Sequence, residues 1–534
     1  MYDVIIAGAG PSGLIAANLC GLYGMKTLLI ERNAGISEIP KAILVDDETL
    51  RVIDRIGLYP EVRQVITPGG GADYFSNKMK PFASVRPTEM SFGYPKRNKI
   101  VQPIFEKVLL EGVQRFSNVE IRYNSELISF DQNDDYVKVK LRDDDGEKTL
   151  ESLYLLGCDG GRSTVRKQLG IKLEEVGSKK NGSSFEEPWV IVDLKNDDVN
   201  TRHTSFFCDP PRPAMHAYTA FGQRRYEFML LDGEDPEEML SDEKLAELIA
   251  PYTEYKPENL VKKAVVVFNA LVAEKFGEGR VVLVGDSAHL TPPFAGQGLN
   301  SGVRDAFNIV WKIKLVVEGK AAHSIVESYE KERKEHVEAM IRLSVRMGNF
   351  ILTTSKKRKL VRDAAFGAMK IVPPLKRYVT EMRFKPKPIC SKGLFIDIDK
   401  PLVGEMFRQS TYMNCDSEMV PIDRYMKSGF NLLKIGAPDE IAFPAMDSPV
   451  WKAINPTKIS IYPEHFVTRE MEDSIPLTDV NNDLNLYLNK FVLIRPDFYV
   501  MGVFSAEEFE SFTDQLEDVL EPKIQLEESY RVAL

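Results

Sequence analysis

Gly8-Ala9-Gly10-Pro11-Ser12-Gly13 follows an apolar run over 4–7 and opens a helical stretch, and Glu31 closes the next apolar run eighteen positions after Gly13. Glycines at those three places permit a tight turn and let backbone N–H groups approach a pyrophosphate, whose charge also suits the positive end of a helix. The helical stretch runs from Ser12 to about Tyr23, directly after Pro11, and Glu31 can accept hydrogen bonds from a ribose diol. A second cluster, Gly285-Asp286-Ser287-Ala288-His289, follows the apolar run 281–284 and continues through Thr291-Pro292-Pro293-Phe294-Ala295-Gly296-Gln297-Gly298-Leu299-Asn300. Asp286 at a strand end can grip a polyol chain, and Pro292 and Pro293 form a stiff wall. Free N–H groups near Gly298, Leu299 and Asn300 suit a group that becomes anionic, as the N1/O2 edge of a reduced flavin does. A third cluster, Cys158-Asp159-Gly160-Gly161-Arg162-Ser163, follows the apolar run 153–156. Without a ligand, the three would be a βαβ turn, a capped loop and a tight turn with a solvated Arg162.

The surrounding elements must hold these clusters at one place. The first thirty residues read as strand, turn, helix, strand, and their uninterrupted apolar runs suit strands covered on both faces, as in a parallel sheet. Residues 136–141 alternate with period two and meet the hairpin signal Asp145-Gly146. From 185 to 269 the pattern is mostly β, with strands at 189–194, 204–208 and 226–231 and a helix over 242–250. The first domain resumes with a buried strand at 281–284, a helix over 300–317 and a helical tract over 323–349. A shift to Pro and Lys over 385–401 predicts a linker, followed by a last segment with a strand at 491–494 and a terminal helical region. The expected fold is mixed α/β: a discontinuous Rossmann-type domain over 1–182 and 271–390, an inserted β-rich substrate domain over 183–270, and a further domain over 391–534.

Composition narrows the partners. With 534 residues, 43% hydrophobic and 28% charged, the chain folds around at least one large core. A formal charge of −10 gives no general field for nucleic acid or an acidic membrane surface. No apolar run reaches the 18 residues of a membrane span, and the amino terminus lacks the basic region of a secretory signal. Five widely spaced cysteines, Cys20, Cys158, Cys208, Cys390 and Cys415, form neither CxxC pairs nor a metal-ligand spacing, so neither a disulfide framework nor a metal site is expected. The expected compartment is the reducing cytoplasm.

In this order and at these separations the three clusters resemble the FAD-binding signature of the single-component flavoprotein aromatic hydroxylases, the class of para-hydroxybenzoate and phenol hydroxylases. Asp46-Asp47-Glu48-Thr49-Leu50-Arg51, Gln102-Pro103, Cys208-Asp209-Pro210-Pro211-Arg212-Pro213, Arg224-Arg225-Tyr226-Glu227-Phe228-Met229 and Met382-Arg383-Phe384-Lys385-Pro386 further resemble the 3-(3-hydroxyphenyl)propionate hydroxylases of bacterial phenylpropanoid catabolism. The likeness covers nearly the whole chain. It implies that Gly8, Gly10, Pro11, Ser12, Gly13 and Glu31 hold the ADP half of FAD, with Arg32, Lys41 and Gln102 beside it. It implies Asp286 at the ribityl chain, Pro293, Gly296, Gly298, Leu299 and Asn300 along the flavin, and Asp159 in the stretch associated with both FAD and NAD(P)H. Two departures stand out. Lys41-Ala42 replaces the family's usual Arg-Ala, and a lysine cannot reproduce a bidentate guanidinium contact; Ile43 stands near where phenol hydroxylase uses an aspartate. The segment 391–534 resembles the thioredoxin-like appendage of the phenol hydroxylase branch but lacks CxxC, so packing or homodimerisation is its expected role.

The reaction implied is reduction of FAD by NADH or NADPH, capture of O₂ as a flavin C4a-hydroperoxide and oxygen transfer to the ring of a phenolic acid. Only one strand-linked GxGxxG is present, so the nicotinamide donor is expected to visit the flavin rather than own a domain. Phe294 and the β-domain residues Phe206, Tyr218 and Phe228 are candidates for a dry substrate wall, with Arg212, Arg224 and Arg225 as basic partners for a substrate carboxylate. His289 reads as a loop-ordering residue, and no catalytic base is assigned. The alternatives are a flavin monooxygenase for a polyketide or another phenol, and a non-enzymatic Rossmann-type carrier. Lys356-Lys357-Arg358-Lys359 reads as a solvated helix face and Asn181-Gly182-Ser183 as a glycosylation match without a secretory route.

Overall fold

A computed structural model of the chain describes all residues except 39–40, 77–79, 178–184, 209, 211, 352, 354, 370, 438–440, 464–473 and 522–534; the match at Asn181 lies outside the described residues. The central sheet runs in the order Gly277–Glu278, Val281–Leu283, Gly146–Gly157, Tyr2–Ala7, Thr27–Ile30, Val119–Arg122. All neighbours are parallel except the first pair, and an antiparallel meander, Glu126–Gln132 and Val137–Asp143, joins the amino-terminal half of Gly146–Gly157. Strands covered on both faces must be apolar throughout, which is why residues 4–7 and 27–30 are all buried. Helix Pro11–Leu22 carries no polar stripe because it packs between the sheet and helices Gln102–Val113 and Gly298–Val317, with Gly13 to Gly21 all buried.

A second sheet runs Leu260–Asn269, Glu186–Lys195, Gln223–Met229, Ala214–Tyr218, Thr204–Phe207, Ala72–Phe75, Pro81–Val85. Its last two strands come from far earlier in the chain, and Ala72–Phe75 pairs in parallel with Thr204–Phe207. One face of this sheet closes its own small core with helix Asp242–Ile249, built on Val190, Val192, Tyr226, Phe228 and Leu245; the other face joins the main core. Helices Ser324–Ile351 and Lys356–Met369 follow, with Lys356, Lys357 and Arg358 exposed.

The carboxy-terminal sheet runs Met419–Pro421, Thr411–Met413, Ile475–Asp479, Thr457–Pro463, Asn431–Ile435, Lys490–Ile494, Val500–Phe504, with helices Pro449–Ile454 and Phe509–Leu520. Its middle three strands are parallel and its last two antiparallel, the mixed pattern expected of a thioredoxin-like domain. Within the predicted linker over 385–401, Cys390, Leu394, Phe395 and Ile396 are buried while Lys387, Ile389, Ser391, Lys392 and Gly393 are exposed, so a short apolar anchor interrupts an otherwise open stretch. All five cysteines are free, four of them buried. Among the described residues no helix is long and apolar enough to cross a membrane.

Candidate active site

Register brings the three clusters together. Ala7 pairs with Ile30 and with Gly157, and Gly157 pairs with Leu283, so the strands end level. Gly8, Glu31, Cys158-Asp159 and Gly285-Asp286 therefore all leave the sheet at its carboxyl edge, where open α/β sheets bind ligands. Gly8 has φ of 106°, and a Cβ there would lie 2.5 Å from the Cys158 carbonyl oxygen; a Cβ on Gly13 would collide with the Gly8 carbonyl. Gly10 differs. Its φ is −76° and a Cβ would meet nothing within 4 Å, so the space before helix Pro11–Leu22 is open and no side chain caps that helix. The Ser12 hydroxyl fits between Gly285 and Gly302, where any Cβ would clash with it. That wedge sets the amino termini of helices Pro11–Leu22 and Gly298–Val317 side by side, and the second also lacks a side-chain cap. Two uncapped positive helix ends on one groove suit a ligand anionic at two places.

The flanking residues complete a dinucleotide groove. Glu31 accepts hydrogen bonds from the N–H of Ala9 at 3.0 Å and of Asn33 at 3.0 Å. Gln102 accepts from the N–H groups of Lys41 and Ala42 at 2.8 and 2.6 Å, while Arg225 donates to the Lys41 carbonyl at 2.9 Å. The loop is thus held by its backbone and the Lys41 side chain stays exposed, as does Arg32. Asp159 accepts from Thr164 and Val165 with one oxygen and keeps the other buried without a partner. Asn300 accepts from the Asp46 N–H at 3.0 Å and donates to the Gly296 carbonyl at 2.7 Å, tying the Gly298 helix start to the strand-end loops. Gly296 sits at φ of 64° in the left-handed turn before that helix, and Pro293, Gly298, Leu299 and Asp286 are half-buried beside it. The open space over Gly10, the uncapped helix ends and the orphaned Asp159 oxygen fit FAD, whose pyrophosphate, ribityl hydroxyls and flavin edge these groups would satisfy.

Beside Gln102 lies Glu106, almost fully buried, with one oxygen accepting from Gln102 at 2.6 Å and the other unpartnered. Burial pushes its carboxyl up to about 7, against the opposing pull of Gln102 and Lys41. Because this folded-state value lies above that of an unfolded chain, Glu106 costs stability as the pH rises from about 4.5 through 7. The isosteric Glu106→Gln variant should match the parent at pH 5 and exceed it by about 1–3 kcal/mol at pH 8, read as thermal midpoints at both pH values. Equal midpoints at pH 8 would count against a protonated Glu106.

A cavity with about 320 Å³ of empty space adjoins the Pro293–Ala295 turn. Its walls come from Tyr74 and Val85 of the second sheet, Arg97, the loop residues Phe294, Ala295 and Gln297, Leu343 and Met347 of helix Ser324–Ile351, and Met382, Phe384 and Lys385. Phe294 is set edge-on to Trp189 and Phe185, with ring centroids 5.8 and 6.0 Å away, and Tyr74 stacks on Phe206 at 5.0 Å. Lys385 is bound to Asp46 and Glu48 at 2.9 and 2.8 Å, and Arg304 closes the same cluster. This pairing accounts for Asp46 and Glu48 as partners of cations, while burial pushes the neighbouring Asp47 carboxyl up to about 6.

Not every expected substrate residue reaches this cavity. Tyr218 and Phe228 were expected on its wall but face the other side of their sheet, because Phe228, Tyr226 and Arg224 pair across it with Ala214, His216 and Tyr218 on one pleat. Arg224 accordingly pairs with Asp197, and Arg212 with Glu234. Arg225 and Phe206 face the dinucleotide side, but Arg225 is bidentate to Asp193 and carries no free donor pair for a substrate. His289 is fully buried against Asp305 at 2.6 Å, which orders the loop. Tyr74 and Arg97 escaped the sequence reading: they lie in a stretch assigned to the dinucleotide domain, and only the parallel pairing of Ala72–Phe75 with Thr204–Phe207 carries it to the cavity.

Comparison with known proteins agrees with this geometry. A family model described as an FAD binding domain matches residues 1–344, and one described as HcaD C-terminal domain matches 404–519. The 3-(3-hydroxy-phenyl)propionate/3-hydroxycinnamic acid hydroxylase of Klebsiella pneumoniae (strain 342) is 35% identical over 94% of this chain and 91% of that protein. Its namesake in Escherichia coli (strain SMS-3-5 / SECEC) is 34% identical over 93% and 91%. Among solved structures, the flavin-dependent monooxygenase PieE in complex with FAD and substrate superposes with a TM-score of 0.79 at 20% identity, covering 98% of this chain and 99% of that one. A ternary complex of aklavinone-11 hydroxylase with FAD and aklavinone gives 0.77 at 23% identity, covering 97% and 99%.

Proposed function

The chain belongs to the FAD-binding domain family of flavoprotein hydroxylases and is an FAD-dependent aromatic monooxygenase, and we propose that it hydroxylates a single phenolic ring bearing a short carboxylate side chain, as the names of its relatives suggest. The observation that carries this reading is the cavity against Phe294, at the mouth of a groove formed by two uncapped helix ends. Its lining of Tyr74, Phe294, Met347 and Phe384 with the cation Arg97 suits an aromatic ring that carries an acid. FAD, when bound, supplies the two-electron chemistry that accepts hydride from NADH or NADPH and activates O₂. One oxygen atom enters the ring and the other leaves as water.

The chain's own residues bind, orient and exclude water. Gly8, Gly10, Ser12 and Gly13 would receive the pyrophosphate, Glu31 the ribose and Asp286 the ribityl chain, with the N–H groups of Gly298, Leu299 and Asn300 toward the flavin edge that gains charge. Phe294, Tyr74 and Met347 keep the cavity apolar, so that a reactive oxygen species is shielded from bulk water. The free, mostly buried cysteines suit a reducing compartment such as the cytoplasm.

The test is turnover of the FAD-loaded protein with NADH or NADPH and ¹⁸O₂. Addition of 3-(3-hydroxyphenyl)propionate should accelerate coenzyme oxidation and give one labelled oxygen per ring, with hydroxylated product matching coenzyme consumed. A colourless protein that cannot be loaded with FAD, or coenzyme oxidation that yields only H₂O₂ with every phenolic acid tried, would overturn the reading.

A further inference from the structure

Among the described residues, one cation lining the cavity has no counter-charge. Arg97 precedes the short strand Asn98–Lys99 and lines the cavity wall with Tyr74, Val85 and Phe384. Its Nε is buried with no hydrogen-bond partner, and among the described residues no carboxylate lies within ion-pairing distance of its guanidinium. Several fully buried arginines are ion-paired instead: Arg225 faces Asp193, Arg304 faces Asp46 and Glu48, Arg333 faces Asp305, and Arg495 faces Glu332 and Asp497. The cavity's second cation, Lys385, is likewise spoken for by Asp46 and Glu48. Arg97 is half-buried as a residue while its Nε is closed off without a partner, so a carboxylate entering the cavity would supply the acceptor and the charge that the guanidinium lacks. Burial lowers its pKa, Arg86 pushes the same way, and the nearby Tyr74 hydroxyl opposes them, so the groups that face Arg97 offer no compensating charge.

The geometry points to Arg97 as the anchor for the substrate's side-chain carboxylate, its fork of donors gripping the acid while the ring lies against Phe294 and Tyr74. This inference rests on the reading of the cavity as the substrate site and adds the group that selects aromatic acids over neutral phenols. It also explains why the arginines of the substrate-domain motifs, Arg212, Arg224 and Arg225, are already paired within their own sheet. Lys99, two residues on, is buried with its amine bound to the Thr204 hydroxyl, and burial, helped by Arg97 and Arg224, pushes it well below the usual lysine range, so it offers no second charge for the ligand.

The experiment is calorimetric titration of the FAD-loaded protein, without coenzyme, using 3-(3-hydroxyphenyl)propionate and its neutral analogue 3-(3-hydroxyphenyl)propan-1-ol, in the parent, Arg97→Met and Arg97→Lys. Binding of the acid should weaken about 10- to 100-fold in Arg97→Met and recover in part in Arg97→Lys, while binding of the alcohol changes little. Removing a half-buried charge that has no carboxylate partner should also leave the thermal midpoint of ligand-free Arg97→Met equal to or above the parent's, whereas a structural role would lower it. Equal weakening of acid and alcohol, no change for either, or a parent protein that binds the acid no better than the alcohol would overturn the assignment. If the parent binds the acid through Arg97 yet gives no hydroxylated product, the reaction class falls and the carboxylate site stands.

Discussion

Gly10→Asp should yield a protein that folds and melts like the parent but carries no flavin. The backbone at Gly10 is ordinary for any residue, with φ of −76° and ψ of −178°, and a Cβ there meets nothing within 4 Å. Steric strain is therefore absent, unlike at Gly8 and Gly13, where any side chain would strike backbone. Gly10 is also the N-cap of helix Pro11–Leu22, and aspartate is among the best N-cap residues. Its carboxylate would accept the N–H groups of the first turn and satisfy the helix end from within. Those are the donors a pyrophosphate needs, and the new negative charge would sit where the phosphate charge belongs. The expected loss in FAD affinity is at least about 100-fold, or ~3 kcal/mol. Absorbance at flavin wavelengths after gel filtration, set beside far-UV circular dichroism and thermal melting, checks both halves of the expectation. Retention of stoichiometric FAD by Gly10→Asp would place the cofactor elsewhere.

Arg495→Met should be among the most damaging substitutions in the chain although it lies far from the glycine clusters in sequence. Arg495 follows strand Lys490–Ile494 of the carboxy-terminal sheet and reaches helix Ser324–Ile351, donating to both oxygens of Glu332 at 3.0 and 2.8 Å and to Asp497 at 3.0 and 2.6 Å. Glu332 also receives Asn308 at 2.7 Å and Lys312 at 2.9 Å from helix Gly298–Val317, whose amino terminus is one of the two uncapped helix ends of the candidate site. All these ionic groups are buried. Burial alone would push the Glu332 carboxyl up, but Arg495 and Lys312 hold it well below the usual carboxylate range. Without Arg495, two buried carboxylates share a single ammonium, and breaking such a network from one side costs about 3–5 kcal/mol. The double variant Glu332→Leu with Arg495→Met should recover part of that loss, because no buried carboxylate is then orphaned on the helix. Since the folded-state value for Glu332 is depressed, its pairing contributes fully above the unfolded value and is lost on acidification. The gap between parent and Arg495→Met in urea or thermal unfolding should therefore narrow below about pH 4.5. A loss under about 1 kcal/mol at neutral pH would mean the network is solvated or rearranges.

These two residues mark what was and was not legible in the chain. The place of Gly10 could be read directly, because a strand, a turn and a helix start lie within a dozen residues of one another. The same holds for Glu31, Asp286 and the Gly298 helix start, each placed by the element on which it sits. Even the level edge that assembles them follows from apolar runs ending in glycine and acid. The side of a strand was harder to read. Tyr218 and Phe228 have the right types in the right domain, yet in a sheet with two buried faces the apolar pattern no longer reveals which pleat looks inward.

The sequence alone determined the cofactor class and the mixed α/β fold, since both are carried by short runs of glycine, acid and apolar residues whose backbone geometry leaves little choice. Only the tertiary structure decided which charges are spent and which remain for a ligand. Arg212, Arg224, Arg225 and Arg97 are the same residue type in the chain; three are neutralised by Glu234, Asp197 and Asp193 and one is not, because ion pairs form between residues that meet only after strands distant in sequence have paired.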